Sequence, residues 1–365
     1  MQSEVLVPTS KRHRPPVVAV TGAAAGLGRA FLAHVASSAD FRRVVAIDDQ
    51  HGDVEGVAWR VIDVRDPLLA NLLSDIDVLV HLAGDHTLDA DPSERRGYNL
   101  RAAQTVLTAS AAARVRRVVL VTSAMVYGAA PDNPVPLPED APVAAEPDSG
   151  LVGDYLEIEA LVRRSLRSHP GLEVTVLRPA AVVGPGVDTV VTRHFEAPRL
   201  LTVKGCAPRW QFCHVDDLVT ALKLAALGVV SGVVAVGSDG WLEQEQVEEI
   251  SGLRRLELPA GLTFSTAQRL HRLGLTPAPA TDLHYVVYPW VTDCASLRAV
   301  GWKPAWTNEA ALEHLLELRE GRHAVVGRRL SGKDATITAA AGTVAVIGTA
   351  ATAAIVRRAR RKRRS

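Results

Sequence analysis

Between Thr21 and Gly28 the chain reads Thr-Gly-Ala-Ala-Ala-Gly-Leu-Gly, directly after the β-branched run Val17 to Val20. A glycine-rich turn of this kind lets the backbone come close to a pyrophosphate, whose charge then rests on the free N–H groups of the helix that begins near Leu27. Gly22, Gly26 and Gly28 supply the close approach, and Ala25 stands among them. The next strand-like run, RRVVAID, ends in Asp48, 20 residues after Gly28. A carboxylate there accepts from both hydroxyls of an adenine ribose and repels a 2′-phosphate, so the spacing favours NAD over NADP. The plain alternative is a tight turn followed by a solvated acid. The order strand, turn, helix, strand, acid favours the dinucleotide.

Such residues need elements to hold them at one edge. From Val17 onward short β-branched runs alternate with amphipathic stretches: PVVAVTG, GRAFLAHVASS, RRVVAID, DVLVHLAG, YNLRAAQTVLTASAAA, RVVLVTS. That alternation means a parallel sheet with crossover helices, an α/β doubly wound fold of the Rossmann type. The helical run EIEALVRRSLRSHPG and the strand-like GLEVTVLRPAAVVG continue it, and the large layer is expected to be complete by Gly186. The expected division is a leader over 1–16, a dinucleotide-binding domain over 17–186, a smaller substrate lobe over 187–325 and a linker over 326–336. A hydrophobic helix over 337–356 and a basic tail over 357–365 would follow. Residues 128 to 150 form a proline-rich stretch without periodicity, which reads as a lid or binding loop.

Composition sets bounds on the partners. The chain has 365 residues with 41 basic and 40 acidic side chains, but seven of the basic ones fall in the last nine positions, where there is no acid. Residues 1 to 334 are left with 34 basic against 40 acidic, a poor surface for nucleic acid. Three cysteines without paired spacing speak against a zinc site and a disulfide framework, and no metal is expected. The leader lacks the apolar core of a signal peptide, so the body is expected to be cytoplasmic.

Several further segments carry a resemblance. TGAAAGLG, AID at Asp48, VIDVRD at Asp63, HLAG at His81 to Gly84, Asn99, VTSAMVYG at Val121 to Gly128, LRPAAVVGPG at Leu177 to Gly186, FCHVDDL at Phe212 to Leu218 and GWKP at Gly301 to Pro304 stand in order. Over roughly residues 17 to 318 the chain resembles the extended short-chain dehydrogenase/reductase family, the NAD-dependent epimerase/dehydratase group. Ala25 stands where extended members commonly have glycine, which a negative backbone φ would allow. The resemblance implies that Asp63 and Val64 flank the adenine, that Leu82, Ala83 and Gly84 line the ribose and pyrophosphate, and that Pro179 to Val182 approach the nicotinamide. Asn99 joins this cofactor-binding set. His81, at the end of a buried strand, reads as a core histidine, and Asp216 with Asp217 as a helix-start acid pair.

The resemblance breaks at the acid/base residues. Working members pair a Ser or Thr with Tyr-x-x-x-Lys, whose ammonium favours phenolate near neutrality. Ser123 takes the serine position. Aligned on EIEALVRR, the tyrosine position is Leu151 and the lysine position Tyr155; shifted by four, Tyr155 is the tyrosine and Glu159 replaces the lysine. Either register lacks the ammonium, and none of the six lysines follows a tyrosine by four. An ionised Glu159 would raise the Tyr155 pKa. Tyr127 or Tyr155 could act with Ser123 through an arginine from elsewhere, or the substrate could supply its own acid.

Two functions from different classes therefore stand. One is an enzyme acting on a hydroxyl or keto group of a sugar-nucleotide or lipid-like small-molecule substrate; the other is a catalytically silent NAD(H)-binding regulatory or scaffold protein. Ala181 replaces an asparagine common in nucleotide-sugar enzymes. Arg193, Arg199 and Arg209 could bind phosphate or be surface residues. Trp210, Phe212, Trp241, Tyr285, Tyr288 and Trp290 could line an apolar site or form core. Ile337 to Val356 is uncharged and, as a helix, would span about 30 Å. A span would carry the basic tail outward, against the positive-inside tendency, whereas an interfacial helix with its basic end on anionic lipid avoids that conflict. Membrane association through residues 337–365 and a possible homodimer complete the expectations.

Overall fold

The computed structural model describes residues 14–260, 263–265, 268–269 and 280–329. In chain order the strands are β1 (Val17–Thr21), β2 (Arg43–Asp48), β3 (Ala58–Val61), β4 (Val78–His81), β5 (Arg117–Val121) and β6 (Glu173–Pro179). They continue as β7 (Ala181–Val183), β8 (Leu200–Val203), β9 (Arg209–Trp210), β10 (Phe212–His214), β11 (Gly232–Val236), β12 (Leu242–Glu243) and β13 (Arg255–Leu258). The helices used below are α1 (Gly26–Val35), α2 (Leu69–Leu72), α3 (Pro92–Ala112), α4 (Leu151–Ser168), α5 (Val190–Glu196), α6 (Val215–Leu227) and α7 (Gln244–Ser251), followed by a carboxyl-terminal helix, Asn308–Arg329.

Seven parallel strands form one sheet in the order β11-β6-β5-β4-β1-β2-β3. The chain order reverses between β1 and β4, and a crevice opens at their carboxyl ends, where ligands of this fold bind. Alternation along each strand makes two cores. Val18 and Val20 face Phe31 and Leu32 of α1 and Leu218 and Leu222 of α6, whereas Val17 and Ala19 face Leu69 of α2, Leu107 of α3 and Val162 of α4. Each such side chain contributes about 1.5–3 kcal/mol on burial. The Rossmann-type expectation holds.

The expectation that the large layer is complete by Gly186 is corrected. The seventh strand, β11, pairs with β6, and α6 packs with α1, so residues 215 to 236 return to the sheet after the chain has entered the lobe. GLEVTVLRPAAVVG is likewise two strands. Pro179 has no N–H to continue the ladder, Ala180 N–H turns to Val236 O at 2.8 Å, and β7 leaves to pair with β10. The expected linker at 326–336 starts inside the carboxyl-terminal helix, which runs to Arg329.

The lobe has its own core of Phe195, Trp210, Phe212, Tyr285, Trp290 and Leu312. The proline-rich stretch after Gly128 is stitched to it rather than hanging as a lid: Asn133 donates to Pro289 O at 2.8 Å, and Leu137 bonds Val291 and Asp293 through its backbone. Buried Glu139 accepts from Ala235 N and Ser296 N, joining the loop to β11. Among the described residues no helix is long and apolar enough to cross a membrane. The segment 337–356 and the tail 357–365 lie outside the described residues.

Candidate active site

The turn after β1 is built by exclusion. Gly22 has φ +69°, and a Cβ there would lie 2.6 Å from Ala83 N, so only glycine lets β1 end against the strand that leads to Gly84. A Cβ on Gly28 would sit 1.9 Å from Gly22 O, which locks α1 onto the turn. Gly26, at φ +52°, has open space above it. Ala25 takes φ −146°, so the alanine costs no strain. The turn thus presents an uncovered helix N-terminus, the form a pyrophosphate needs. Leu27 packs inward against the α1 side of the core.

Asp48 ends β2 beside this turn. One carboxylate oxygen accepts Ala24 N–H and the other Asp49 N–H, both at 2.9 Å, so the group is aimed by backbone donors and keeps lone pairs for hydroxyl partners. Asp63 is held differently: Arg65 grips both its oxygens, keeping its carboxyl below the usual range, while the Arg65 guanidinium lies 4.7 Å over the Tyr98 ring. Val64 is buried beneath. Thr21 ties β1 to β4. Its hydroxyl meets His81 Nδ1 at 2.8 Å and accepts from Leu82 N and Ala83 N. Burial pushes His81 down to about 4, so it is a neutral core histidine.

Asn99 of α3 anchors the chain beyond Gly84: its carbonyl accepts Asp85 N–H at 2.8 Å, and its amide donates to Asp85 O and to Asp154. Asp154 is fully buried on α4 and also accepts from Arg95 Nε at 3.0 Å. Arg95 reaches on to Ser149 O. A polar knot therefore fixes α3, α4 and the segment after β4 together.

The end expected to be catalytic departs from both registers. Ser123 ends the β5 turn, its Oγ accepting Met125 N–H at 3.2 Å and its own proton remaining available. Tyr127 is excluded as an acid: it is buried, donates to Glu139 O at 2.6 Å and lies under the Arg178 guanidinium at 4.6 Å. Glu159 is buried too, bound by both Arg178 and Thr122, so it replaces no lysine in function. Tyr155 stands half-buried one turn after Leu151. Its pKa is raised well above the ordinary phenol value, as expected, but by burial first and then by Asp154 rather than by Glu159. Its hydroxyl lies 3.3 Å from His86 Nδ1. Motif reading passed over His86, which stands two residues beyond HLAG, because no fixed spacing links it to Tyr155.

In the stretch expected to face the nicotinamide, Ala180 and Ala181 are pinned by Val236 O and Gln211 O, and Val182 pairs within β7–β10, so Pro179 to Val182 is held rigidly by its backbone. Tyr285 of the lobe donates to Met125 O at 2.8 Å, seating the lobe on the Ser123 turn. Nearby Asp282 is largely buried, and burial with Asp148 pushes its carboxyl up to about 8.

Of the arginines read as phosphate ligands, Arg193 is spent on four bonds to Asp89 and Asp188, and Arg209 pairs with Glu243 at 2.7 Å. Arg199 is exposed. Trp210, Phe212, Tyr285 and Trp290 are core. Asp217 accepts from Ala305 N and Trp306 N, a structural tie rather than half of an acid/base dyad.

Comparison with known proteins fits this geometry. The sequence profile described as the NAD dependent epimerase/dehydratase family matches residues 18–237. An uncharacterized protein of Mycobacterium tuberculosis is 30% identical over 317 residues, covering 82% of this chain and 83% of its own. Among solved structures, TunA, an NAD dependent NDP-hexosamine 5,6-dehydratase involved in tunicamycin biosynthesis, superposes with a TM-score of 0.62 at 21% identity, over 84% of this chain and 98% of its own. MoeE5 in complex with UDP-glucuronic acid and NAD gives 0.61 at 24% identity, over 84% and 99%.

Proposed function

The chain belongs to the NAD dependent epimerase/dehydratase family, with NAD as its cofactor, and on that footing we propose that it acts on a hydroxyl or keto group of a sugar nucleotide. The observation that carries the reading is the open helix N-terminus at Gly26 beside the aimed carboxylate of Asp48, at the same sheet edge as Ser123 and Tyr155. The substrate class is suggested by TunA, an NDP-hexosamine 5,6-dehydratase, and by MoeE5, whose structure holds UDP-glucuronic acid with NAD.

The residues present fit NAD. Gly22, Ala25, Gly26, Leu27 and Gly28 would hold the pyrophosphate, Asp48 the adenine ribose, Asp63 and Val64 the adenine, and Leu82, Ala83, Gly84 and Asn99 the far side of the crevice. Pro179 and Val182 would border the nicotinamide. When bound, NAD supplies a hydride acceptor or donor. Ser123 has a free O–H to orient a substrate oxygen, and Tyr155 holds a proton at its Oη under neutral conditions. The raised Tyr155 pKa favours proton donation to a keto oxygen over abstraction by a free phenolate.

A second reading is favoured by one observation. Of the three arginines read as phosphate ligands, Arg193 and Arg209 are engaged with carboxylates, which together with Ala181 suits an uncharged, lipid-like alcohol. Titrating the full chain with NAD, then following both NADH formation and chromatographic conversion of UDP-glucose and of an uncharged sterol-like alcohol, separates the two. Binding without turnover on either substrate, unchanged in Ser123→Ala, leaves the silent regulatory protein. Membrane association through residues 337–365 belongs to the same proposal, and a chain found only in the soluble fraction after lysis at low salt would overturn it.

A further inference from the structure

We propose that His86 is the proton-accepting partner of Tyr155, a positioning residue that acts through the phenol where relatives use a lysine. This rests on the reading of Tyr155 given above. The geometry is specific. Tyr155 Oη and His86 Nδ1 are 3.3 Å apart, with ring centroids at 6.3 Å and planes 36° apart. His86 is placed by the backbone around it. The imidazole lies against the bare backbone of Gly84, where a Cβ would meet Nε2 at 2.8 Å, and Asp85 is clamped on both its N–H and its C=O by Asn99. Asn99 in turn holds Asp154, the residue before Tyr155, so one amide sets both partners.

The charged and titratable groups around the imidazole are Asp85 on its own segment, His81 at the end of β4, Arg95 on α3, and Asp154 and Tyr155 on α4. Protein atoms crowded around the ring lower its pKa from 6.5 although the residue keeps an edge in solvent; Asp85 and Asp154 oppose that shift and Arg95 adds to it. A neutral imidazole at neutral pH offers Nδ1 as acceptor when Nε2 carries the proton.

The step balances without an ammonium. As a substrate alcohol is oxidised, its C–H bond breaks and the electron pair leaves as hydride to the nicotinamide. The O–H proton passes to Tyr155 Oη while the phenolic proton passes to His86 Nδ1, and the C=O bond forms. The imidazolium then gives a proton to water at its exposed edge. Reduction runs the same path backwards. No free phenolate is formed, which is why a phenol of raised pKa suffices.

The test has two arms on the full chain. In the first, histidine 15N NMR without cofactor follows the titration of His86 in the wild type and in Tyr155→Phe. The proposal expects a shifted titration midpoint and tautomer balance in the variant, and an unchanged His86 titration overturns it. In the second, chromatographic conversion of UDP-glucose with NAD present is followed against pH, together with any NADH formed. His86→Asn keeps an acceptor at the Nδ1 position but cannot take the proton. It should lower kcat by roughly 100-fold or more at little change in KM and lose the limb below pH 6.5; an unaltered profile overturns the relay. A wild type that does not turn over UDP-glucose defeats the substrate reading, while the NMR arm still decides the pairing.

Discussion

Arg178, in the strand that carries Leu177 to Pro179, grips both carboxylate oxygens of Glu159 on α4, with Nε at 2.9 Å and Nη2 at 2.5 Å. Both side chains are buried, and Thr122 donates a third bond to the same carboxylate. The pair fixes α4 against the sheet, one turn beyond Tyr155. Removing one partner of a buried pair costs about 3–5 kcal/mol, because the other charge is left without compensation. Glu159→Ala should therefore lose stability of that order in urea unfolding, and Glu159→Gln less. Glu159→Lys should not restore a dyad, since it sets an ammonium against Arg178, and its expected outcome is unfolding.

His194 on α5 is fully buried, and neither ring nitrogen has a hydrogen-bond partner. Its ring stacks on Trp210 at 5.3 Å and meets Phe195 edge-on. Burial lowers its pKa from 6.5 to about 3, so the unfolded chain binds a proton here that the native chain refuses. Stability tied to His194 is thus present above pH 6.5 and lost as pH falls toward 3. His194→Phe should stabilise the protein by ~1–3 kcal/mol at neutral pH, by relieving the unmet polar groups. It should also flatten the fall in melting temperature between pH 6.5 and 4.

Asp282 titrates in the opposite sense. Its carboxyl is raised from 3.8 to about 8 by burial and by Asp148, with Arg95 opposing. The native state keeps a proton that the unfolded state releases, so this contribution is fully present below pH 4 and is lost as pH rises through 8. Asp282→Asn keeps the neutral shape at all pH values. Thermal melting should show the variant matching the wild type near pH 4, gaining on it steadily from pH 4 to 8 and keeping a constant lead above that.

At the cofactor end, Asp48→Asn should weaken NAD and improve NADP relative to the wild type, because the charge that repels a 2′-phosphate is gone. Gly28→Ala should fail more broadly, as its methyl would fall 1.9 Å from Gly22 O and push α1 off the turn. Fluorescence titration with each dinucleotide checks the first, and circular dichroism of the apo chain the second.

The dinucleotide half was legible because its chemistry is local. Turn, helix and Asp48 follow one another within 28 residues, and glycine is demanded by the backbone itself. The catalytic half was legible only as a gap. Ser123 and Tyr155 could be named, and the missing lysine counted, yet His86 lies 69 residues from Tyr155 and meets it only once α4 packs beside the segment after β4. The proline-rich stretch misled for a similar reason: Glu139 finds its partners at Ala235 and Ser296, nearly a hundred residues away or more.

Amino-acid order alone thus determined the parallel α/β layer and the NAD-type turn, since period, glycine spacing and strand ends are properties of neighbouring residues. Tertiary structure decided which polar groups are spent and which remain free. Arg178 neutralises Glu159, Asp89 and Asp188 occupy Arg193, and the phenolic O–H of Tyr127 donates to the backbone carbonyl of Glu139. A hydrogen bond depends on distance in space, and nothing in chain position sets that distance until the sheet has brought β4, β5 and α4 to one edge.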